Sequence, residues 1–240
     1  MKMLNRSLLL SAIAVLTIGG VDANESEFIA TSSCIPYAQS PGIHQITAPG
    51  LSSFDVLCDS TTFGSGWTVI QQRIDGKENF YRNWANYSAG FGSLNGDFFL
   101  GLERIHRLTS AHRHELNIYM EKFNGEVENA HYDRFQVAGE EENYKLSSVG
   151  NFTKGRVFDC LNWHFSESFS TYDRDNDNFK DTNCAEQRQS GWWFAYCGLC
   201  NLNGRYFNHE VQNVTGMFWT PRISLKAVKM LIRPIVEKNQ

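Results

Sequence analysis

The sequence predicts a single α+β domain, and three observations carry that expectation. Short β-rich runs occur early, midway and at the end of the chain: Trp67-Thr68-Val69-Ile70-Gln71-Gln72-Arg73, His114-Glu115-Leu116-Asn117-Ile118-Tyr119-Met120 and Lys229-Met230-Leu231-Ile232-Arg233. One segment, Leu100 to Leu108, has a helical pattern, and it is short. No repeat, low-complexity tract or Pro/Ser-rich linker divides the chain.

Composition supports one large core. The 240 residues are 42% hydrophobic and include 17 Phe, 9 Tyr and 6 Trp. That apolar content excludes disorder as the general state. With 22 Lys+Arg against 26 Asp+Glu, the charge of -4 excludes a nucleic-acid binder acting through a basic surface.

The amino terminus reads as a secretory leader over 1–23. Lys2 and Arg6 precede an apolar stretch from Leu8 to Ile18, and Val21 and Ala23 stand where cleavage before Asn24 needs small residues. The apolar run falls short of the roughly 20 residues that cross a bilayer, and nothing later approaches a membrane span. The expectation is a secreted, extracellular chain: a short lead-in over 24–33, then one domain over 34–240.

Secretion places six cysteines in an oxidising compartment, and an even count reads as three disulfides. Composition alone leaves fifteen pairings. Spacing suggests local loops joining Cys34 with Cys58 and Cys184 with Cys197. Cys160 and Cys200 then pair with each other, which is the expectation, or with another subunit in a covalent homo-oligomer. Sequons lie at Asn86, Asn151 and Asn213.

Between Ser148 and Phe218 periodicity almost vanishes, and Gly, Asn, Asp and aromatic residues dominate. A long irregular stretch inside a compact domain is usually functional, and something besides regular backbone pairing must hold it. Asp173-Arg174-Asp175-Asn176-Asp177-Asn178-Phe179 suggests how, because carboxylates at alternate positions repel unless a hard cation lies between them. It is not an EF-hand, since Asn178 stands where Gly is needed and Cys184 where Glu is needed.

At this point the chain resembles the fibrinogen-related domain family, the globular module of fibrinogen chains, ficolins, tachylectins and angiopoietin-type ligands. The resemblance is carried in family order. Phe54-Asp55-Val56-Leu57-Cys58-Asp59, Gly66-Trp67-Thr68-Val69-Ile70-Gln71, Phe80-Tyr81-Arg82-Asn83-Trp84 and Gly90-Phe91-Gly92 come first. Phe99 to His106, Phe169 to Asp175, Asn183-Cys184-Ala185-Glu186, Gly191-Trp192-Trp193 and Asn201-Leu202-Asn203-Gly204 follow. It extends from about Cys34 to Pro234.

The resemblance implies a twisted antiparallel sheet, short helices and a long irregular calcium- and ligand-binding region. It implies Ca2+ held by the carboxylates of Asp175 and Asp177 with main-chain oxygens from Phe179 and a residue near Asp181. It also implies the Cys34–Cys58 and Cys184–Cys197 bridges. In lectin members an acetyl pocket surrounds a cis peptide before the second cysteine of the short bridge, here Tyr196-Cys197. The implied pocket residues are Tyr196, Cys197, Gly198, Tyr206, Asn213 and Val214, with Trp192 and Trp193 as further walls or as core. Gly198 occupies a position where such pockets carry His, and Asn213-Val214 replaces an aromatic followed by Asp or Ala. Restoring that histidine, Gly198→His, is expected to strengthen acetyl binding.

The function expected from this likeness is a calcium-dependent, lectin-like recognition protein of innate immunity that binds acetylated or microbial glycans weakly and through multivalency. The alternative is a secreted protein-binding ligand or adhesive factor acting on a receptor or matrix. An enzyme is not expected. No Gly-x-Ser-x-Gly elbow or His-Glu-x-x-His helix occurs, and Cys197-Gly198-Leu199-Cys200 has no βαβ surroundings and reads as two structural half-cystines.

Overall fold

The computed structural model describes residues 23–154 and 157–236. The expected leader lies outside them except for Ala23, which opens helix α1 (Ala23–Thr31).

Cys34 follows α1 and is bonded to Cys58, so the lead-in is fastened to the first hairpin. That hairpin pairs β1 (Gly42–Ile46) with β2 (Phe54–Asp59) in antiparallel register, Gly42 opposite Cys58 and Ile46 opposite Phe54. Strand β3 (Trp67–Arg73) is buried at every position, including Gln71, Gln72 and Arg73. The donors of these polar residues are matched to backbone carbonyls: Gln71 donates to the Leu202 carbonyl, Gln72 to that of Gly96, and Arg73 to that of Gly204.

Helix α2 (Trp84–Ala89) was not evident from periodicity; Asn83 caps it by accepting from the Asn86 N–H. Strands β4 (Phe91–Gly92) and β5 (Phe98–Phe99) form a short pair on β3. Helix α3 (Leu102–Ala111) begins two residues after the expected start. Leu100 is taken by a backbone bond to the Ile70 carbonyl, and Gly101 has φ +112° with its α-carbon so close to Ala89 that a β-carbon would lie 2.8 Å from that backbone. Tertiary contact therefore overrides the helical preference of Leu100. Leu102, Ile105, Leu108 and Thr109 form the buried face of α3.

Strand β6 (His114–Glu121) matches the expected run, and β7 (Val127–Val137) returns beside it through a short turn at Gly125. Strands β8 (Leu146–Ser148) and β9 (Phe152–Lys154) lengthen this edge. The last strand, β12 (Ala227–Pro234), inserts between β3 and β6, giving the order β1-β2-β3-β12-β6-β7-β8. The centre of the sheet thus waits for the end of the chain.

From Val157 to Met217 the described backbone holds only a 3-10 turn, Leu161–His164, and helix α4 (Cys184–Arg188). Strands β10 (Phe218–Trp219) and β11 (Ile223–Ser224) close it. The region is held by an aromatic core of Tyr87, Tyr144, Phe169, Trp192 and Trp193, all buried. Trp193 Nε1 donates to the Tyr144 carbonyl at 2.7 Å, and Asn203 donates to the Gly191 carbonyl at 3.0 Å. Trp192 and Trp193 are therefore core side chains and not pocket walls.

Candidate functional site

The acidic segment is pinned at both ends before any ion is considered. Toward its start, Asn176 donates Nδ2 to the Phe169 carbonyl, and its N–H donates to Ser170 Oγ. At its end, Asn183 accepts from Ala185 and Glu186 N–H, which caps α4, and donates back to the Thr171 carbonyl. The three alternating carboxylates then diverge. Asp173 accepts from the Trp84 N–H at 2.9 Å and from Thr171 Oγ1 at 2.7 Å, so it serves the fold. Arg174 lies on the Trp84 ring, 3.9 Å from its centroid.

Asp175 and Asp177 stay together. Asp175 Oδ1 accepts from the Asp177 N–H at 3.2 Å, and Asp177 accepts from Phe179 and Cys184 N–H, each at 2.8 Å. Burial first, then the Asp175 charge, pushes the Asp177 carboxyl above its usual range despite those N–H donors. Glu167 is raised for the same two reasons, burial and then the charge of Asp177. Among the described residues none of these three carboxylates has an ion-pair partner. Carboxylates without an ion-pair partner are hard-cation donors, so these residues fit calcium. Asp181 is exposed, and the following residue, Thr182, turns its N–H back to the Phe179 carbonyl at 3.4 Å.

The Cys184–Cys197 bridge is formed, with α-carbons 4.9 Å apart. The peptide before Cys197 is not cis: among the described residues the cis bond precedes Pro221. Tyr196 and Cys197 instead both enter the left-handed region, at φ +48° and +57°, held by the bridge and by Arg188 Nε, which donates to the Cys197 carbonyl at 2.7 Å. The expected pocket residues have other duties. Tyr196 is 70% exposed, and Val214 is exposed as well. Asn213 Oδ1 accepts from its own sequon's Thr215, through N–H and Oγ1, both at 2.9 Å. Tyr206 lines a cavity of about 460 Å³ with Arg73, Gly76, Tyr81, Gln189 and Arg205. Arg222 reaches the Gly198 carbonyl at 3.5 Å.

A third disulfide was expected, and the structure corrects it: Cys160 and Cys200 are buried free thiols. Cys200 is therefore not a half-cystine; it lies beside Cys160 and His164, a residue the sequence does not single out, with the three donor atoms within 4.8 Å of one another. The spacing Cys160-x-x-x-His164 was the available signal. Burial pushes the His164 imidazole down to about 4. Of the sequons, Asn86 and Asn151 are exposed, and Asn151 donates its side-chain amide to Asp133 at 2.9 Å.

The irregular region also leaves aromatic surface uncovered. Phe158, Trp163 and Phe165 are 53%, 51% and 50% exposed within one short segment. Tyr81 and Tyr172, also exposed, pack with ring centroids 4.8 Å apart. No helix among the described residues is long and apolar enough to cross a membrane.

Comparison with known proteins agrees with this architecture. The profile of the family described as fibrinogen beta and gamma chains, C-terminal globular domain, matches residues 37–235. Human fibroleukin is 43% identical over 204 residues, covering 78% of this chain and 46% of fibroleukin. The fibrinogen-like globe domain of human ANGPTL6 superposes with a TM-score of 0.81 at 36% identity, covering 86% of this chain and 96% of that domain. The lamprey fibrin D-dimer, complexed with the peptide ligand Gly-His-Arg-Pro-amide, gives a TM-score of 0.76 at 31% identity, covering 84% of this chain and 72% of that one. The chain spans about half the length of the curated relatives it matches. It belongs to the family of fibrinogen C-terminal globular domains.

Proposed function

We propose that this chain is a secreted recognition globe that binds a protein partner, such as a receptor or matrix component, rather than a lectin for acetylated glycans. The observation that carries this reading is the exposed trio Phe158, Trp163 and Phe165 in the irregular region. Large aromatic side chains left half in water are costly unless a partner covers them, and aromatic residues anchor protein interfaces. The two disulfides support an extracellular setting. The lamprey fibrin D-dimer, complexed with the peptide ligand Gly-His-Arg-Pro-amide, adds a peptide ligand on a related globe. The lectin reading loses support because Tyr196, Asn213 and Tyr206 are engaged elsewhere or exposed and Arg222 sits at the Gly198 carbonyl.

Calcium belongs to this proposal as a structural ion. Asp175 and Asp177 would hold it, with the Phe179 carbonyl beside them; bound there, it would neutralise the loop. The chain's own residues do the rest: Asn176 and Asn183 fix the loop ends, and Cys184 ties them to the disulfide.

The test is binding of the calcium-loaded protein to cell surfaces and matrix of its source, before and after surface proteolysis or deglycosylation. Loss on proteolysis and in Trp163→Ser with Phe165→Ser supports the reading. Retention after proteolysis, loss after deglycosylation, or binding to an acetylated glycan array restores the lectin.

A further inference from the structure

We propose that Cys160, His164 and Cys200 form a buried zinc site, with ligands Cys160 Sγ, His164 Nε2 and Cys200 Sγ. The three donor atoms lie within 4.8 Å of one another, and all three residues are shielded from solvent. In a tetrahedral zinc centre two sulfur ligands stand about 3.8 Å apart, so side-chain shifts of about an ångström bring the three protein ligands to the ion, with a water as the fourth ligand.

The local fold aims these atoms. Cys160 is the residue before the 3-10 turn Leu161–His164, whose single turn returns His164 to the side of Cys160. Cys200 arrives from the far side, because the left-handed residues Tyr196, Cys197 and Gly198 turn the chain sharply after the disulfide.

His164 supplies the second and independent observation. Its Nδ1 faces the Trp193 carbonyl, which can only accept, so Nδ1 carries the proton. In the neutral ring Nε2 then bears a lone pair, and that buried atom has no hydrogen-bond partner among the described residues. Fixing one ring nitrogen on a backbone carbonyl is the way proteins orient a metal-binding imidazole. Gly198 keeps one side of this ring open: a β-carbon there would stand 2.9 Å from Cε1 and 3.6 Å from Nε2.

The donor set selects the ion. Two sulfurs and an imidazole are soft and borderline ligands, unsuited to calcium. Zinc entering as the dication displaces one proton from each thiol, which makes the unit of two thiolates, one neutral imidazole and one zinc uncharged. Copper(I) would leave a net negative charge in an apolar setting, where an unpaired charge is costly. The site is separate from the Asp175 and Asp177 loop and does not depend on what the globe binds.

The experiment uses the full chain secreted into chelator-free medium containing zinc and calcium. Metal analysis and native intact mass should show about one zinc per chain and two disulfides, with two thiols becoming reactive after strong chelation. Replacing zinc by cobalt(II) should give a thiolate-to-metal charge-transfer band. That band should vanish in the double variant Cys160→Ala with Cys200→Ala, whose fold is checked by near-UV circular dichroism and calcium response. A secreted chain two mass units lighter, with a Cys160–Cys200 disulfide and no zinc, overturns the proposal. So do two free thiols that bind neither metal, and a zinc content unchanged in the double variant.

Discussion

Asp177 Oδ2 accepts the Cys184 N–H at 2.8 Å, so one carboxylate links the acidic loop to the half-cystine that begins α4. The loop and the Cys184–Cys197 bridge therefore share an anchor, and whatever neutralises the loop also steadies the bridge. Asp177 is for this reason a poor probe of the ion, because any substitution also orphans a backbone donor.

Asp175→Asn is the cleaner probe, since an amide oxygen can still accept from the Asp177 N–H. In excess chelator the variant should be as stable as the wild type or slightly more so, because one of two facing carboxylates has lost its charge. In calcium at a hundredfold excess over Kd the wild type should gain about 2.7 kcal/mol, and the variant should lose most of that gain. Thermal melting in both conditions decides. A wild-type curve indifferent to millimolar calcium removes the ion from the account.

Gly198→His will not build a better acetyl pocket. Gly198 has φ +81°, and a β-carbon there would meet His164 Cε1 at 2.9 Å and the Cys200 carbonyl at 3.1 Å. Strain from the backbone and from the collision should cost about 2 kcal/mol or more. Urea unfolding of Gly198→Ala and Gly198→His should show a comparable loss in both. A variant as stable as the wild type would mean that this turn adopts another shape.

Asp97 should be among the most sensitive charged positions. Its carboxylate accepts from the N–H groups of Ile74, Asp75 and Gly76 and lies 3.4 Å from Arg73 Nε, and both side chains are buried. Asp97→Ala should cost about 3–5 kcal/mol, because it strands a buried guanidinium together with three backbone donors. The double variant Arg73→Met with Asp97→Ala should cost less than the two single changes added together. Additive losses in denaturant unfolding would show that the two side chains act independently.

Acid should unfold the sheet partly through His114. Its ring is buried, Nδ1 donates to the His112 carbonyl at 2.9 Å, and Phe28 stands edge-on to it. Burial, the largest influence, holds its pKa down to about 4; the His112 charge lowers it further, while the His112 carbonyl bond and Glu115 oppose the shift. The folded state thus prefers the neutral ring. The stability this contributes is complete above the unfolded value near 6.5, and it is lost as pH falls from there toward 4. It amounts to about 3 kcal/mol at most. His114→Phe should flatten the decline between those limits, and an identical decline in the two proteins would assign it to other groups.

Much of the protein was determined by its sequence alone, and the reasons are local. The β-rich patterns of residues 67–73, 114–120 and 229–233 became β3, β6 and β12, because pattern and propensity act within a few residues. Cys184 with Cys197, and Cys34 with Cys58, paired as their spacing suggested. The ordered motifs identified the family. Other features were decided only when distant segments met. Trp192 and Trp193 became core, α3 started late, and Asp173 turned to the Trp84 N–H and away from Asp175. The approach of Cys200 to Cys160 and His164 depends on a turn whose positive φ angles no side-chain pattern announces. Such features follow from close packing and buried hydrogen-bond satisfaction, which are properties of the assembled core and not of any short run of residues.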